Sequence, residues 1–482
     1  MFAHSRNPAL ARGIPAENLR SQPRGPHRRC HPARRRDHNA PPRGRGRHLL
    51  RGFFRRRRLR RSATVSRSRE CDHRRHRLRS RRPLPVDRRL RPRYLNVTPA
   101  PDPVTPRCAV FEVCGGCSRQ DIESGAQSRE KQSTLQRHLR ESAGIEPESY
   151  EPLPPVTGPQ WNYRRKARLA VRMVRRKGRV LVGFREKRGN YVTVMEDCEV
   201  LAPGLAELIR PLRVLLDGLA ARETIPQIEV AAGEAAEHRF RPEAALVLRH
   251  LRPLDPGDLH RLTEFAVRWN LQMYLQPRGV DSVHRIYPRH GPERLYYHLP
   301  EFGLRLAFHP MDFLQVNAAV NRRAVRLVTD LLALGPEDHV LDLFCGLGNF
   351  SLPIAGLCAG VTGIEGSADM VARAEENARA NGLENTRFFT ADLYRWNTEA
   401  PWAAQAYTRV LLDPPRSGAL ETLPLIAAAG AKKLVYVSCN PETLARDARE
   451  LARRGFHLKS AGVMDMFPHT LHIEAVALFE RA

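Results

Sequence analysis

No stretch of this 482-residue chain approaches the roughly 18 consecutive apolar residues that a membrane-spanning helix needs, which excludes an α-helical integral membrane protein. No apolar segment follows the basic N-terminus, so a secretory signal is not expected. Cysteine is scarce. Nine residues are too few for a disulfide scaffold, and three of them, Cys108, Cys114 and Cys117, crowd together, a pattern that favours metal binding or catalysis in a reducing compartment. A soluble, cytoplasmic protein is expected. Lysine is absent from residues 1–100, which hold 31 Arg against 5 acidic residues, a net of +26. Set against the chain totals of 80 basic and 51 acidic residues, this leaves 49 and 46 beyond position 100, a net of +3. The overall basicity therefore belongs to one terminal segment and not to the fold.

That segment lacks sustained apolar periodicity and cannot offset its ordering entropy by burial. Residues 1–100 are thus expected to be a disordered or mistranslated Arg-rich arm. A basic RNA-binding arm, a transit peptide and a wrong start or reading frame are the competing readings, and the missing lysine favours the last. Strand patterns begin only after Pro106. Residues 101–305 read as an α+β central domain. A polar helix is expected at Ser124–Ala143 and strands at Lys166–Val174, Arg179–Arg185 and Tyr191–Met195. Further helices are expected near Leu205–Leu219 and Pro256–Trp269. From 306 to 482 the pattern changes. Helical spacing runs from Phe313 to Leu334, and then strands and helices alternate to the C-terminus. That alternation is the signature of an α/β, doubly wound parallel sheet.

Four constellations carry chemistry. Asp342-Leu-Phe344-Cys-Gly346-Leu-Gly348-Asn349-Phe350 closes a strand and opens a helix, where glycines let backbone approach a nucleotide-like ligand. Glu365 ends the next strand about twenty residues on, suited to ribose hydroxyls, and Asp392 ends the third. The short Gly-x-Gly, without a third glycine at dinucleotide spacing, favours S-adenosylmethionine over NAD. Leu412-Asp413-Pro-Pro-Arg416 is a rigid strand-end turn beside the expected cofactor. Ser438-Cys439-Asn-Pro places a thiol next to a helix N-terminus, a setting that stabilises thiolate. Asp465-Met-Phe-Pro-His469-Thr-Leu-His472-Ile-Glu474 reads as a loop entering a last strand, with Glu474 a candidate general base near Cys439. Tyr163-Arg164-Arg165-Lys166-x-Arg168 would turn alternate cations to one side of a strand, toward RNA phosphates. Phe313 is a candidate base-stacking residue, with a core aromatic as the competing reading. From spacing alone, Cys108-x5-Cys114-x2-Cys117 suits zinc or iron–sulfur equally.

Taken with Phe313-Leu-Gln315-Val-Asn317, these motifs together resemble the RNA 5-methyluridine methyltransferases, and among them the bacterial 23S rRNA enzymes that carry an iron–sulfur cluster. The resemblance runs from about residue 105 to the C-terminus. The small β-barrel such proteins usually carry at the N-terminus, the TRAM domain, is not recognisable here. The resemblance implies a Rossmann-like methyltransferase domain. It implies a [4Fe-4S] cluster on Cys108, Cys114, Cys117 and Cys198, structural in role. It implies an S-adenosylmethionine site lined by Gln315, Phe344, Asn349, Glu365, Asp392 and Asp413, although the family commonly has Asn where Asp392 stands. It implies Cys439 as nucleophile toward C6 of uracil and Glu474 as the base that finishes the reaction. The substrate implied is 23S rRNA, acted on by a monomer without an obligate protein partner. A different rRNA position, a tRNA substrate, or an iron–sulfur RNA-binding protein without catalysis are the alternatives.

Overall fold

The short apolar runs that end in Leu343, Glu365, Thr390, Leu412 and Ser438 become neighbouring strands of one sheet. The computed structural model describes residues 103–234, 244–395 and 399–481; the Arg-rich segment 1–100 lies outside the described residues. Strand His339–Leu343 sits between Gly360–Glu365 and Arg409–Leu412. Thr386–Thr390 lies outside the first of these and Lys433–Ser438 outside the second, and all five run parallel. Alternate residues face opposite sides, as the two-residue period of a strand demands. Val340, Val361, Leu411 and Val435 enter one core, and Leu341, Ile364, Leu412 and Tyr436 the other. Both faces are covered, which explains why these strands read as continuous apolar runs.

The parallel expectation fails at one side of the sheet. Glu474–Arg481 runs antiparallel to Lys433–Ser438, and Phe456–Met464, a strand the sequence pattern did not reveal, runs antiparallel beyond it. The short strand Glu151–Pro152 then pairs in parallel with Phe456–Met464. Helix Ser124–Ala143 packs on the same layer, burying Leu135 and Leu139 with Leu444, Ala448 and Leu451. Glu123 caps its start by accepting from the Gly125 and Ala126 N–H groups, and Gly144, at φ 68°, ends it in the left-handed conformation. The stretch 124–152, which precedes the central strands in sequence, thus builds part of the C-terminal layer.

A six-stranded sheet dominates the rest of the central region, in the order Arg179–Gly183, Lys166–Val174, Gln227–Ala232, Ala244–Arg249, Leu271–Gln276, His284–Tyr287, followed by the antiparallel pair Leu295–Leu299 and Leu304–Phe308. Helix Pro256–Trp269 packs against the six-stranded sheet. Three expected elements differ. Tyr191–Met195 makes only an isolated bridge at Val192. The helix near Leu205–Leu219 is two pieces, Pro203–Ala206 and Ile209–Asp217, because Pro211 removes an N–H and crowds the carbonyl a turn earlier. The helix expected from Phe313 begins at Ala318, because the Asn317 side chain accepts from the Val320 N–H and fixes the start there.

Candidate active site

Strand register brings the candidate residues together. Thr390, Glu365, Leu343, Leu412 and Ser438 close adjacent strands at one end of the sheet. Asp392, Phe344, Asp413 and Cys439 follow within two residues of these ends. In the antiparallel pair Ser438 lies opposite Ala475, so the next residues outward, Cys439 and Glu474, meet across the strand boundary. Phe344, Glu365, Asp392, Asp413, Cys439 and Glu474 line one cleft of about 1840 Å³, together with Gln315 and Asn349. Small-molecule sites are usually about 300–1,000 Å³, so this cleft has room for a nucleoside cofactor and a second reactant.

The glycine-rich turn is built for close approach. Phe344, Gly346 and Gly348 all have left-handed φ, at 65°, 57° and 92°. Asn377, fully buried, braces the turn by donating to the carbonyls of Leu347 and Ala307, each at 3.1 Å. Glu365 accepts from the Gly346 N–H at 3.2 Å through one oxygen and from the Ser367 N–H at 3.0 Å through the other. Its carboxylate is therefore fixed in orientation with lone pairs to spare. Asp392 accepts from the Tyr394 N–H at 3.0 Å, and the Tyr394 ring stands 5.9 Å from that of Phe344. Gln315 has its carbonyl held by Arg165 Nε at 2.9 Å. Asn349 is engaged within the protein. It exchanges amide hydrogen bonds of 2.9 and 3.0 Å with Asn321 and accepts from Tyr297 Oη at 2.9 Å. Sequence reasoning singled out neither Asn321 nor Tyr297, since nothing in the turn motif points to them.

At the other end of the cleft the charge pattern is acidic. Burial raises the Glu474 carboxyl to about 7, with Arg416 pulling the other way. Burial, then the Glu474 and Glu365 charges, hold Asp413 well above the usual carboxylate range. Burial followed by the Glu474 and Asp413 carboxylates pushes the Cys439 thiol up to about 11. This corrects the expectation that a helix N-terminus makes Cys439 a thiolate. The helix Pro441–Arg453 does begin there, but Asn440 caps its Glu442 N–H, and burial first, then the two neighbouring carboxyl groups, works against the dipole. The remaining charge at this end is Arg416. Its carbonyl is held by Asn440 Nδ2 at 3.1 Å, and its guanidinium donates to His472 Nδ1 at 2.8 Å. Since Arg has no acceptor, His472 must present an unprotonated Nδ1 here, and burial followed by the Arg416 charge lowers its pKa accordingly.

The cationic strand is realised in part. Arg164 and Arg168 line the cleft, and Lys166 donates to the Asp312 carbonyl. Arg165, out of phase, turns inward to Glu234 and stacks its guanidinium 4.6 Å from the Tyr297 ring centre. Phe313 lies on the cleft wall with 72% of its surface exposed, an unusual state for an aromatic side chain with no solvent-facing role.

Cys108, Cys114, Cys117 and Cys198 are all free thiols and line a second, small cavity with Phe111, Phe184 and Met195. The Gly116 N–H donates to Cys114 Sγ at 3.4 Å, and burial raises the thiols of Cys114, Cys117 and Cys198, the last to about 12. Among the described residues no group of His, Cys, Asp and Glu is drawn in tightly enough to hold a metal ion as it stands. The donor set nonetheless fits a thiophilic centre: four sulfurs and a largely apolar wall, with no imidazole, and the two oxygen-bearing side chains at its edge already engaged, Gln120 by the Cys108 N–H and Glu199 by Arg107.

A family model described as tRNA (Uracil-5-)-methyltransferase matches residues 304–482. The chain is 50% identical over 385 residues to the 23S rRNA (uracil(1939)-C(5))-methyltransferase RlmD of Alcanivorax borkumensis, covering 80% of this chain and 84% of the relative. It is 50% identical over 386 residues to the protein of the same name from Alkalilimnicola ehrlichii, again covering 80% and 84%. The crystal structure of the Pyrococcus abyssi tRNA (uracil-54, C5)-methyltransferase with S-adenosyl-L-homocysteine superposes with a TM-score of 0.61 at 23% identity, over 79% of this chain and 86% of that one.

Proposed function

The chain belongs to the S-adenosylmethionine-dependent RNA (uracil-5-)-methyltransferases, and from that premise we propose that it methylates C5 of a uridine in 23S rRNA through a covalent Cys439 adduct. The observation that carries this reading is the antiparallel register that sets Cys439 beside Glu474, in a cleft shared with the glycine turn and Glu365. The rRNA assignment is drawn from the names of the relatives.

C5 of uracil is a weak nucleophile, and attack at C6 activates it. The target base leaves its stack and enters the cleft, past Phe313, Arg164 and Arg168. Cys439 Sγ bonds to C6 as its proton leaves to solvent, and the C5=C6 electron pair moves toward O4 as an enolate. S-adenosylmethionine supplies an electrophilic methyl carried on a sulfonium. Glu365 and Asp392 hold the cofactor hydroxyls and the Phe344 turn its adenosine. Gln315 and Asp413 line the join between cofactor and base, while the Asn349 amide, already paired with Asn321, shapes the wall. C5 bonds to the methyl carbon and keeps its hydrogen, while the S–CH3 electron pair returns to sulfur and leaves the neutral thioether S-adenosylhomocysteine. Glu474 then accepts that proton, the C5–H pair re-forms C5=C6, and the C6–S pair returns to Cys439.

Cys108, Cys114, Cys117 and Cys198 would hold a [4Fe-4S] cluster. Its contribution would be a cross-link between the segment before helix Ser124–Ala143 and the loop at Cys198, outside the reaction itself. The reading is tested with a 23S rRNA fragment carrying 5-fluorouridine, whose fluorine cannot leave as a cation. A protein–RNA band that resists denaturation, requires the cofactor and vanishes in Cys439→Ala is expected. Product from normal RNA without any such band overturns the covalent route.

A further inference from the structure

The loop 465–473 joins the last two strands and delivers Glu474 to the cleft; His472 meets Arg416 of the sheet's own strand-end turn, but Asp465, Phe467, Pro468 and His469 are held from outside the methyltransferase sheet. Lys131, on helix Ser124–Ala143, donates to Asp465 Oδ1 at 2.6 Å and to the Phe467 carbonyl at 3.0 Å. The two side chains of this ion pair are only 6% and 1% exposed. One turn earlier on the same helix, Gln127 accepts from the His469 N–H at 2.8 Å, and its Nε2 lies 3.3 Å from His469 Nδ1. The Ser118 and Arg119 N–H groups both donate to the His469 carbonyl, at 2.8 and 3.0 Å. Tyr163 donates to the Pro468 carbonyl at 3.1 Å, and the Trp161 ring lies 4.1 Å from that of His469. His469 itself has φ 63°, a left-handed conformation that a side-chain-bearing residue keeps only where its surroundings over-determine it.

Neither Lys131 nor Gln127 lines the cleft. A buried ion pair between two distant chain segments is a poor stabiliser in itself, because desolvation offsets most of the attraction. What it does supply is one fixed geometry for the loop. We propose that Lys131 and Gln127 are positioning residues that set the Asp465–Ile473 loop so that the Glu474 carboxylate reaches the hydrogen on C5. This rests on the reading of Glu474 as the base of the last step. In that step the carboxylate oxygen takes the C5 proton, the C5–H electron pair becomes the C5=C6 bond, and the C6–S pair returns to Cys439. Addition and methyl transfer precede it and do not need Glu474. Loosening the loop should therefore stall the enzyme after methyl transfer, with RNA still attached to Cys439.

The test uses Lys131→Met combined with Asp465→Asn, which leaves no unpaired buried charge, and separately Gln127→Leu. Each full-length protein is mixed with a 23S rRNA fragment of normal uridine and methyl-labelled cofactor, quenched in denaturant and run on a denaturing gel. The label is expected to gather in a protein–RNA adduct, about 10-fold above the wild-type level. Multiple turnover should fall about 10- to 100-fold, the scale expected for a reacting group displaced by an ångström, and Lys131→Arg should restore most of it. An adduct fraction at the wild-type level overturns the proposal, whether turnover falls or not. Should the paired variant fail to fold, Gln127→Leu, which introduces no charge, decides alone. If wild type gives no adduct on 5-fluorouridine RNA, it is the Cys439 reading that fails, before the loop comes into question.

Discussion

Replacing Glu474 by Gln keeps the shape of the side chain and removes its titration. Burial raises this carboxyl from 4.5 to about 7 in the folded chain. The folded state therefore binds that proton more tightly than the unfolded state. The resulting stability is fully present below pH 4.5 and is lost as pH rises through about 7. At about 1.4 kcal/mol per pKa unit, wild type should lose on the order of 3 kcal/mol relative to Glu474→Gln between pH 4 and pH 8. Titrations elsewhere cancel in that difference. The exception is Asp413, which Glu474 pushes upward, and the relief of its repulsion in the variant adds with the same sign. Arg416 acts on Glu474 with the opposite sign, and its effect is already contained in the value of about 7. Urea unfolding of both proteins at several pH values measures the difference. A difference that does not change with pH, or one that moves in favour of wild type as pH rises, refutes a buried, proton-retaining Glu474. Release of methylated RNA, which needs the carboxylate, should slow about tenfold per pH unit below 7.

Cys439→Ala should bind S-adenosylmethionine with wild-type affinity by calorimetry and give no detectable 5-methyluridine. Glu365→Ala should weaken that binding by about 1.5–3 kcal/mol, the cost of losing hydrogen bonds to a charged group. Gly363→Ala should lower thermal stability, since a Cβ there would lie 2.5 Å from the Phe388 ring and 2.9 Å from Cys345 Sγ; overpacking of that kind costs about 1–3 kcal/mol. Cys198→Ser should reduce iron per chain after anaerobic purification and bleach the brown colour of the cluster, whereas a zinc site would leave a colourless protein in both forms.

The strand ends that carry Glu365, Asp413 and Cys439 were legible because each couples a short apolar run to a turn residue, a purely local signal. Helix Ser124–Ala143 was legible too, in its bounds, but its place was not. Its few apolar residues gave no hint that Leu135 and Leu139 pack beside Leu444, more than three hundred residues on. Strand Phe456–Met464 was missed because its residues alternate imperfectly, with Ser460 and Lys459 interrupting the run. That miss hid the antiparallel direction of the last strand, although the nearness of Glu474 to Cys439 was itself expected. Thiolate character was misjudged at Cys439 for a related reason. The helix start is written in the sequence, while the burial of the thiol and the two carboxyl groups beside it come from the tertiary fold. Asn349 shows the converse, a motif residue whose amide the fold has already engaged through Asn321 and Tyr297. Lys131 carries no signal at all, being one lysine in a polar helix.

The most direct measurement is nucleoside mass spectrometry on unmodified 23S rRNA transcript, incubated with anaerobically purified protein and S-adenosylmethionine and then digested. The account requires 5-methyluridine to appear at a defined site with wild type and to be absent with Cys439→Ala. A wild-type protein shown to bind its cofactor that leaves every uridine unmethylated would contradict it, as would a Cys439→Ala protein that still makes 5-methyluridine.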